Sequence, residues 1–139
     1  MSGGAVFQKM LGDRHVIAAA RTPQEVERAL ESAAPVIFLL QCKIAQAPPL
    51  VRLAHEQGKS IFLHLDRVDG LQPAEEGAVE WVAASVVPDG IISTRPHALQ
   101  AARRCRLLTV QRIFALDSSS LATAERLVES TSSDVVEVL

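Results

Sequence analysis

The chain has 139 residues, 48% hydrophobic and 22% charged, a balance that fits one folded domain and excludes a disordered chain. Fourteen Lys and Arg against 16 Asp and Glu leave a net charge of −2, without the basic excess of an autonomous nucleic-acid binder. No apolar run approaches the ~20 residues of a membrane span, and a whole eight-stranded β/α barrel, which needs at least ~200 residues, does not fit.

Residues 1–13 read as a short lead-in without the charged and apolar regions of a signal peptide. An apolar run, Val16 to Ala20, then predicts a first strand, and Thr22-Pro23-Gln24-Glu25 a capping box with proline at the first helical position. Val36 to Leu40 predicts the second strand. Pro48 and Pro49 open the next helix and Gly58 closes it. Ile61 to Leu65 is the third strand, followed by a helix beginning around Pro73, Glu75 and Glu76. Gly90-Ile91-Ile92, then a helix from Pro96, then Leu107 to Val110 continue the alternation. A helix capped by Ser118, Ser119 or Ser120 and a last strand, Val135 to Val138, complete it. The runs are short, β-branched and continuously apolar rather than alternating, which is how parallel strands covered on both faces read.

The order is (βα)5β in a single domain. Two architectures accommodate it, an open doubly wound sheet and a β/α barrel. The first would carry a glycine-rich phosphate loop after its first strand, whereas this chain has Ala20-Arg21-Thr22-Pro23. The expected fold is therefore α/β, an incomplete TIM-type β/α barrel of about six parallel strands, C-shaped, with its first and sixth strands as open edges. The two cysteines, Cys42 and Cys105, lack CxxC spacing and point to a reducing, cytoplasmic setting.

Functional side chains of such barrels gather at the C-terminal ends of the strands. Arg21 ends the first, Gln41-Cys42-Lys43 the second, and His64 and Asp66 the third, with Asp69 following. Ser93, Thr94 and Arg95 end the fourth; Gln111 and Arg112 end the fifth, with Asp117 beyond; Glu137 lies on the sixth. Arg21, Arg95 and Arg112 offer forked donors to a phosphate or carboxylate, and Asp66, Asp69, Asp117 and Glu137 offer acceptors to hydroxyls or a divalent cation. A small phosphorylated polyol matches that mixture, and so does a metal-assisted enzyme.

Each residue also has a plainer reading. His64 and Asp66 share one strand face and could form a satisfied structural pair. Arg95 stands before Pro96 at a helix start, a poor place for a cation unless an anion binds nearby. Arg112 could pair with Glu137 on the neighbouring strand, and Asp117 could simply cap the last helix. Arg103, Arg104 and Arg106 cluster at a helix C-terminus, where they complement its dipole; nucleic-acid contact is the alternative. An enzyme of the lyase, aldolase or isomerase type would want a lysine on an inner strand, and Lys9, Lys43 and Lys59 lie elsewhere in this reading.

Four blocks carry a family resemblance: His64-Leu65-Asp66-Arg67-Val68-Asp69-Gly70-Leu71, Asp89-Gly90-Ile91-Ile92-Ser93-Thr94-Arg95-Pro96, Thr109-Val110-Gln111-Arg112-Ile113-Phe114-Ala115-Leu116-Asp117-Ser118 and Val136-Glu137-Val138-Leu139. In order and spacing they resemble the glycerol-3-phosphate-responsive antiterminators of bacterial glycerol uptake operons. The resemblance starts at Val16-Ile17-Ala18-Ala19 and includes Ala20-Arg21-Thr22-Pro23. It implies a non-enzymatic barrel that senses glycerol 3-phosphate and acts on leader mRNA to prevent premature termination. It implies Arg21, His64, Asp66, Ser93, Thr94, Arg95, Gln111, Arg112, Asp117 and Glu137 as ligand contacts, with no catalytic residue, cofactor or metal and no membrane. Arg103, Arg104 and Arg106 are the local cations open to RNA, and a homo-oligomer is compatible with the edges. Two departures stand out: Cys42-Lys43 replaces a common Gly-Asp pair, and family members continue past the Glu-Val-Leu block with two further strands.

Overall fold

The computed structural model describes residues 1–139. The apolar runs form six parallel strands, Ile17–Ala20 (β1), Val36–Leu39 (β2), Ser60–His64 (β4), Gly90–Ser93 (β6), Leu108–Ile113 (β7) and Val135–Val138 (β8), paired in the order β1-β2-β4-β6-β7-β8. The register is unbroken; Ile37 pairs with Ile61, Leu63 with Ile91 and Ile92 with Val110. The strands curl into the expected incomplete barrel, with β1 and β8 at the edges. A two-stranded parallel pair, Cys42–Lys43 (β3) with Val68–Asp69 (β5), is an addition that runs of two residues did not announce.

Five helices cover the outer face: Pro23–Glu31 (α2), Ala47–Glu56 (α3), Glu76–Trp81 (α4), Pro96–Arg104 (α5) and Ser118–Thr131 (α6). Their starts obey local chemistry. The Thr22 hydroxyl accepts from the Glu25 amide at 3.1 Å, and Pro23 and Pro96 sit in first turns, where no amide hydrogen is needed. Alternate strand residues Ile37, Leu39, Ile61, Leu63 and Ile91 meet Val26, Val51, Ala54, Ala98 and Ala102 in one core layer. The end of α2 is closed from a distance. Lys59 Nζ donates to the carbonyls of Ala29, Ser32 and Ala34 at 3.1, 2.6 and 2.7 Å, a cation placed where the helix presents bare oxygens.

The other strand residues, Val36, Phe38, Phe62, Ile92 and Val110, form a second cluster on the concave face. The lead-in folds as a helix, Gly3–Leu11 (α1), which brings Phe7 into this cluster. The Phe7 ring meets Phe62 edge-on with centroids 5.4 Å apart and Phe38 at 6.3 Å, so the concave face is plugged at its lower end. No strand forms in residues 1–13.

The helix expected around Pro73 begins only at Glu76 and ends in a π turn, Val82–Val86. Val87 then takes φ +57°, a left-handed backbone costly for a β-branched side chain, and it is 54% exposed. Val87→Asn is expected to stabilise the protein by about 1 kcal/mol, a rise of about 3 °C in Tm, because Asn tolerates this conformation. A melting curve unchanged or lowered would show that Val87 packs more favourably than its backbone suggests.

Candidate functional site

The β4 strand ends in His64, followed by Leu65-Asp66-Arg67 in a 3-10 turn, so Asp66 swings toward the end of β6. There it meets Ser93-Thr94-Arg95, the turn into α5. Ser93 Oγ donates to Asp66 Oδ1 at 2.7 Å, and the Thr94 amide and hydroxyl both donate to Oδ2 at 2.9 Å. The Arg95 amide donates back to Ser93 Oγ at 3.0 Å. One carboxylate therefore fixes the whole β6–α5 turn. Burial alone would push the Asp66 carboxyl up, but the adjacent His64 ring and the hydrogen bonds from Thr94 and Ser93 outweigh it and hold the group well below the usual carboxylate range. His64 Nε2, 3.7 Å from Oδ2, is too far to be one of those bonds.

With its acceptors so engaged, Asp66 positions Arg95. The Arg95 Nε lies 3.6 Å from Asp66 Oδ1, while the side chain remains 47% exposed at the rim. Its guanidinium is thus held near the start of α5 with donors to spare for an anion, and a nine-residue helix points its positive end the same way. His64 completes the group. Its Nδ1 faces the Leu40 carbonyl at 3.3 Å, and its ring is buried.

Arg112 and Glu137 are brought together on the concave face of β7 and β8, with Nε–Oε2 at 2.8 Å and Nη2–Oε1 at 3.1 Å, a fork-to-fork pair between register partners. A cleft of ≈ 380 Å³ runs past Arg112 and Thr94 toward Phe114, Ser120 and Thr123. Ser120 and Thr123 carried no signal in the sequence; only the approach of α6 to the end of β7 brings them here.

Several expected ligand contacts are otherwise occupied. Gln111 lines the same cleft, but on the strand its side chain points oppositely to Arg112, into the helix layer, where Oε1 accepts from Thr131 and, at 3.1 Å, from Ser133. Asp117 is the N-cap of α6; its Oδ1 accepts from the Ser120 amide at 2.7 Å, and those bonds to Ser120 hold its carboxyl low. Ser93 is fully buried and spent on Asp66 and Arg95. Arg21 is exposed, its amide bonded to Glu25 at 2.6 Å, and stands three strands from Arg95.

Arg103, Arg104 and Arg106 lie at the opposite end of the barrel from this rim, where α5 turns into β7. Arg103 donates to the Ser132 carbonyl and Arg104 lies 3.8 Å from Glu76. Arg106 takes φ +62° in the turn. Nowhere do three His, Cys, Asp or Glu converge as a metal site would require. Cys42 is buried, and burial with the nearby Asp69 charge pushes its thiol up to about 11, which disfavours the nucleophilic thiolate. No helix is long and apolar enough to cross a membrane.

A curled parallel β/α sheet with an anchored arginine and an ion pair on its C-terminal rim defines an incomplete β/α barrel whose polar groups gather at the end where such barrels carry their functional side chains. The family model for the glycerol-3-phosphate responsive antiterminator matches residues 16–139, and the chain belongs to that regulatory family. The structure is similar to that of a glycerol uptake operon antiterminator regulatory protein from Listeria monocytogenes, with a TM-score of 0.85, 32% identity and coverage of 92% of this chain and 69% of the other. It is also similar to a glycerol uptake operon antiterminator-related protein from Thermotoga maritima, with a TM-score of 0.77, 32% identity and coverage of 88% and 69%. Among curated proteins, the uncharacterized YgcP of Escherichia coli K12 is 28% identical over 130 residues, 94% of this chain and 68% of that protein.

Proposed function

We propose that this chain is the effector-sensing part of a transcription antitermination regulator, that it takes glycerol 3-phosphate at the C-terminal rim, and that it acts on leader mRNA in the cytoplasm. The observation that carries the reading is Arg95: an arginine at a helix start, oriented by Asp66 yet half-exposed, in a chain of this family. In this reading Arg95 takes the phosphate with the positive end of α5, and Arg112 lines the cleft beside it. Asp66 does not grip the polyol itself; it holds the turn that presents Arg95. The fit to RNA rests on the family alone, since aromatic residues are 4% of the chain and Phe7, Phe38 and Phe62 are buried in the concave cluster, leaving only the separate Phe114 and Trp81 outside it.

Titration calorimetry with glycerol 3-phosphate is expected to give saturable binding that weakens at least about tenfold in Arg95→Ala, the loss of one charge-assisted phosphate contact. Neither heat nor a rise in Tm at millimolar ligand would overturn the proposal. A transcription read-through assay with a glycerol-operon leader then tests the regulatory half. Read-through independent of the ligand would remove the effector role.

A further inference from the structure

One atom in the site has no partner. His64 Nε2 is buried and forms no hydrogen bond, in a side chain only 6% exposed. The reason lies in its other nitrogen. A carbonyl can only accept, so Nδ1, facing Leu40 O at 3.3 Å, carries a hydrogen, and in the neutral tautomer this is the only one on the ring nitrogens. Nε2 is then a bare acceptor. Opposite it, at 3.7 Å, stands Asp66 Oδ2, which is also an acceptor. The nearby polar hydrogens are already spent, because the Ser93 hydroxyl and both the amide and hydroxyl of Thr94 point at Asp66. Between His64 and Asp66 the protein therefore presents two acceptors, of which Asp66 is already supplied by Ser93 and Thr94 while Nε2 has no donor. Buried acceptors without a donor are costly, and an arrangement of this kind is completed by a ligand that brings a hydrogen.

Resting on the proposed effector site, we infer that the His64–Asp66 notch determines specificity by the oxidation state of the ligand: it takes a phosphorylated polyol through a hydroxyl hydrogen and turns away the corresponding phosphorylated ketone. Glycerol 3-phosphate and dihydroxyacetone phosphate differ at just one carbon, hydroxyl in the first and carbonyl in the second. Both bring the same phosphate to Arg95, so the phosphate cannot separate them. At the notch they differ in kind. The alcohol donates to Nε2, whereas the ketone sets a third acceptor against the two already there. Sites built to bind a hydroxyl discriminate strongly because the wrong ligand leaves buried groups unpaired. Arg95, half-exposed and 3.6 Å from Asp66, stands beside the notch with donors free for the phosphate.

The test is a calorimetric comparison of glycerol 3-phosphate, dihydroxyacetone phosphate and inorganic phosphate on the full chain. Glycerol 3-phosphate is expected to bind on the order of a hundredfold tighter than dihydroxyacetone phosphate, less than a fully enclosed hydroxyl site achieves. His64→Phe, which keeps a ring but removes the acceptor, is expected to bring the two within about threefold. Arg95→Ala is expected to weaken both alike and preserve the ratio. Wild-type affinities within threefold of each other overturn the inference while leaving the effector site standing, and need no variant that must fold. A hundredfold preference that survives in His64→Phe overturns it as well. Failure of all three compounds to bind removes the effector site and this inference with it.

Discussion

Asp66→Ala is expected to lower stability by about 3 kcal/mol at pH 7, because it strands the buried Ser93 hydroxyl and the Thr94 amide that now end on its carboxylate. The charge-dependent part has a definite direction in pH. The folded-state pKa of Asp66 lies below its unfolded value, so the stabilisation is complete above the unfolded pKa near ~4 and fades as pH falls from there toward the lower folded value. Asp66→Asn isolates that part. Thermal melts of wild type and Asp66→Asn are expected to differ most at pH 7 and to converge between about pH 4 and pH 2. A difference that stays constant across that range would mean that the side chain's shape, and not its charge, holds the turn. The same substitution is expected to weaken phosphate binding through Arg95, since the β6–α5 turn loses its anchor.

Gly90→Ala is expected to be comparably damaging for a steric reason. A methyl group on Gly90 would lie 2.4 Å from the Leu108 carbonyl oxygen and 2.6 Å from the Phe62 ring. The carbonyl belongs to the neighbouring strand, which pairs with Gly90 directly, and the ring is wedged against Phe7 and Phe38. Neither can withdraw without opening the sheet or the concave cluster. The cost is roughly 3 kcal/mol, or a fall of about 10 °C in Tm. Phe62→Leu in the same chain is expected to recover little, because the backbone contact remains. Substantial recovery would place the strain on the ring instead.

Much of this architecture was legible because parallel strands buried on both faces leave uninterrupted apolar runs, and because Thr22-Pro23 and Pro96 mark helix starts without ambiguity. That same continuity hides which face is which. Both sides of β7 are buried, so nothing in Leu108-Thr109-Val110-Gln111-Arg112 says that Arg112 looks into the concave face and Gln111 into the helix layer. Helix α1 was missed because its first residues, Gly3 and Gly4, are poor helix formers; burial of Phe7 supplies what propensity lacks. Convergence at the rim was legible, but the contacts that divide these residues were not. His64, Asp66, Ser93, Thr94 and Arg95 do converge, whereas the role of Asp66 as an anchor depends on three donors arriving from another strand, a fact of tertiary geometry. The legible clue was Ser-Thr before Arg-Pro, a turn whose polar groups need a partner.

The path of α1 has a consequence for how the protein is made. Its first residues pack beside Asp134, just before β8, while Met10 and Leu11 lie near Pro35, just before β2. The helix is synthesised well before half of its seat, the segment around Asp134. At ~5–20 residues per second, Phe7 waits on the order of ten seconds for β8 before the concave cluster can close around it. The outer helix layer can assemble unit by unit as each βα segment emerges, but the inner cluster cannot. Its completion is a clasp between α1 and β8, and until it forms, the Phe38 and Phe62 rings stay open to other partners during synthesis.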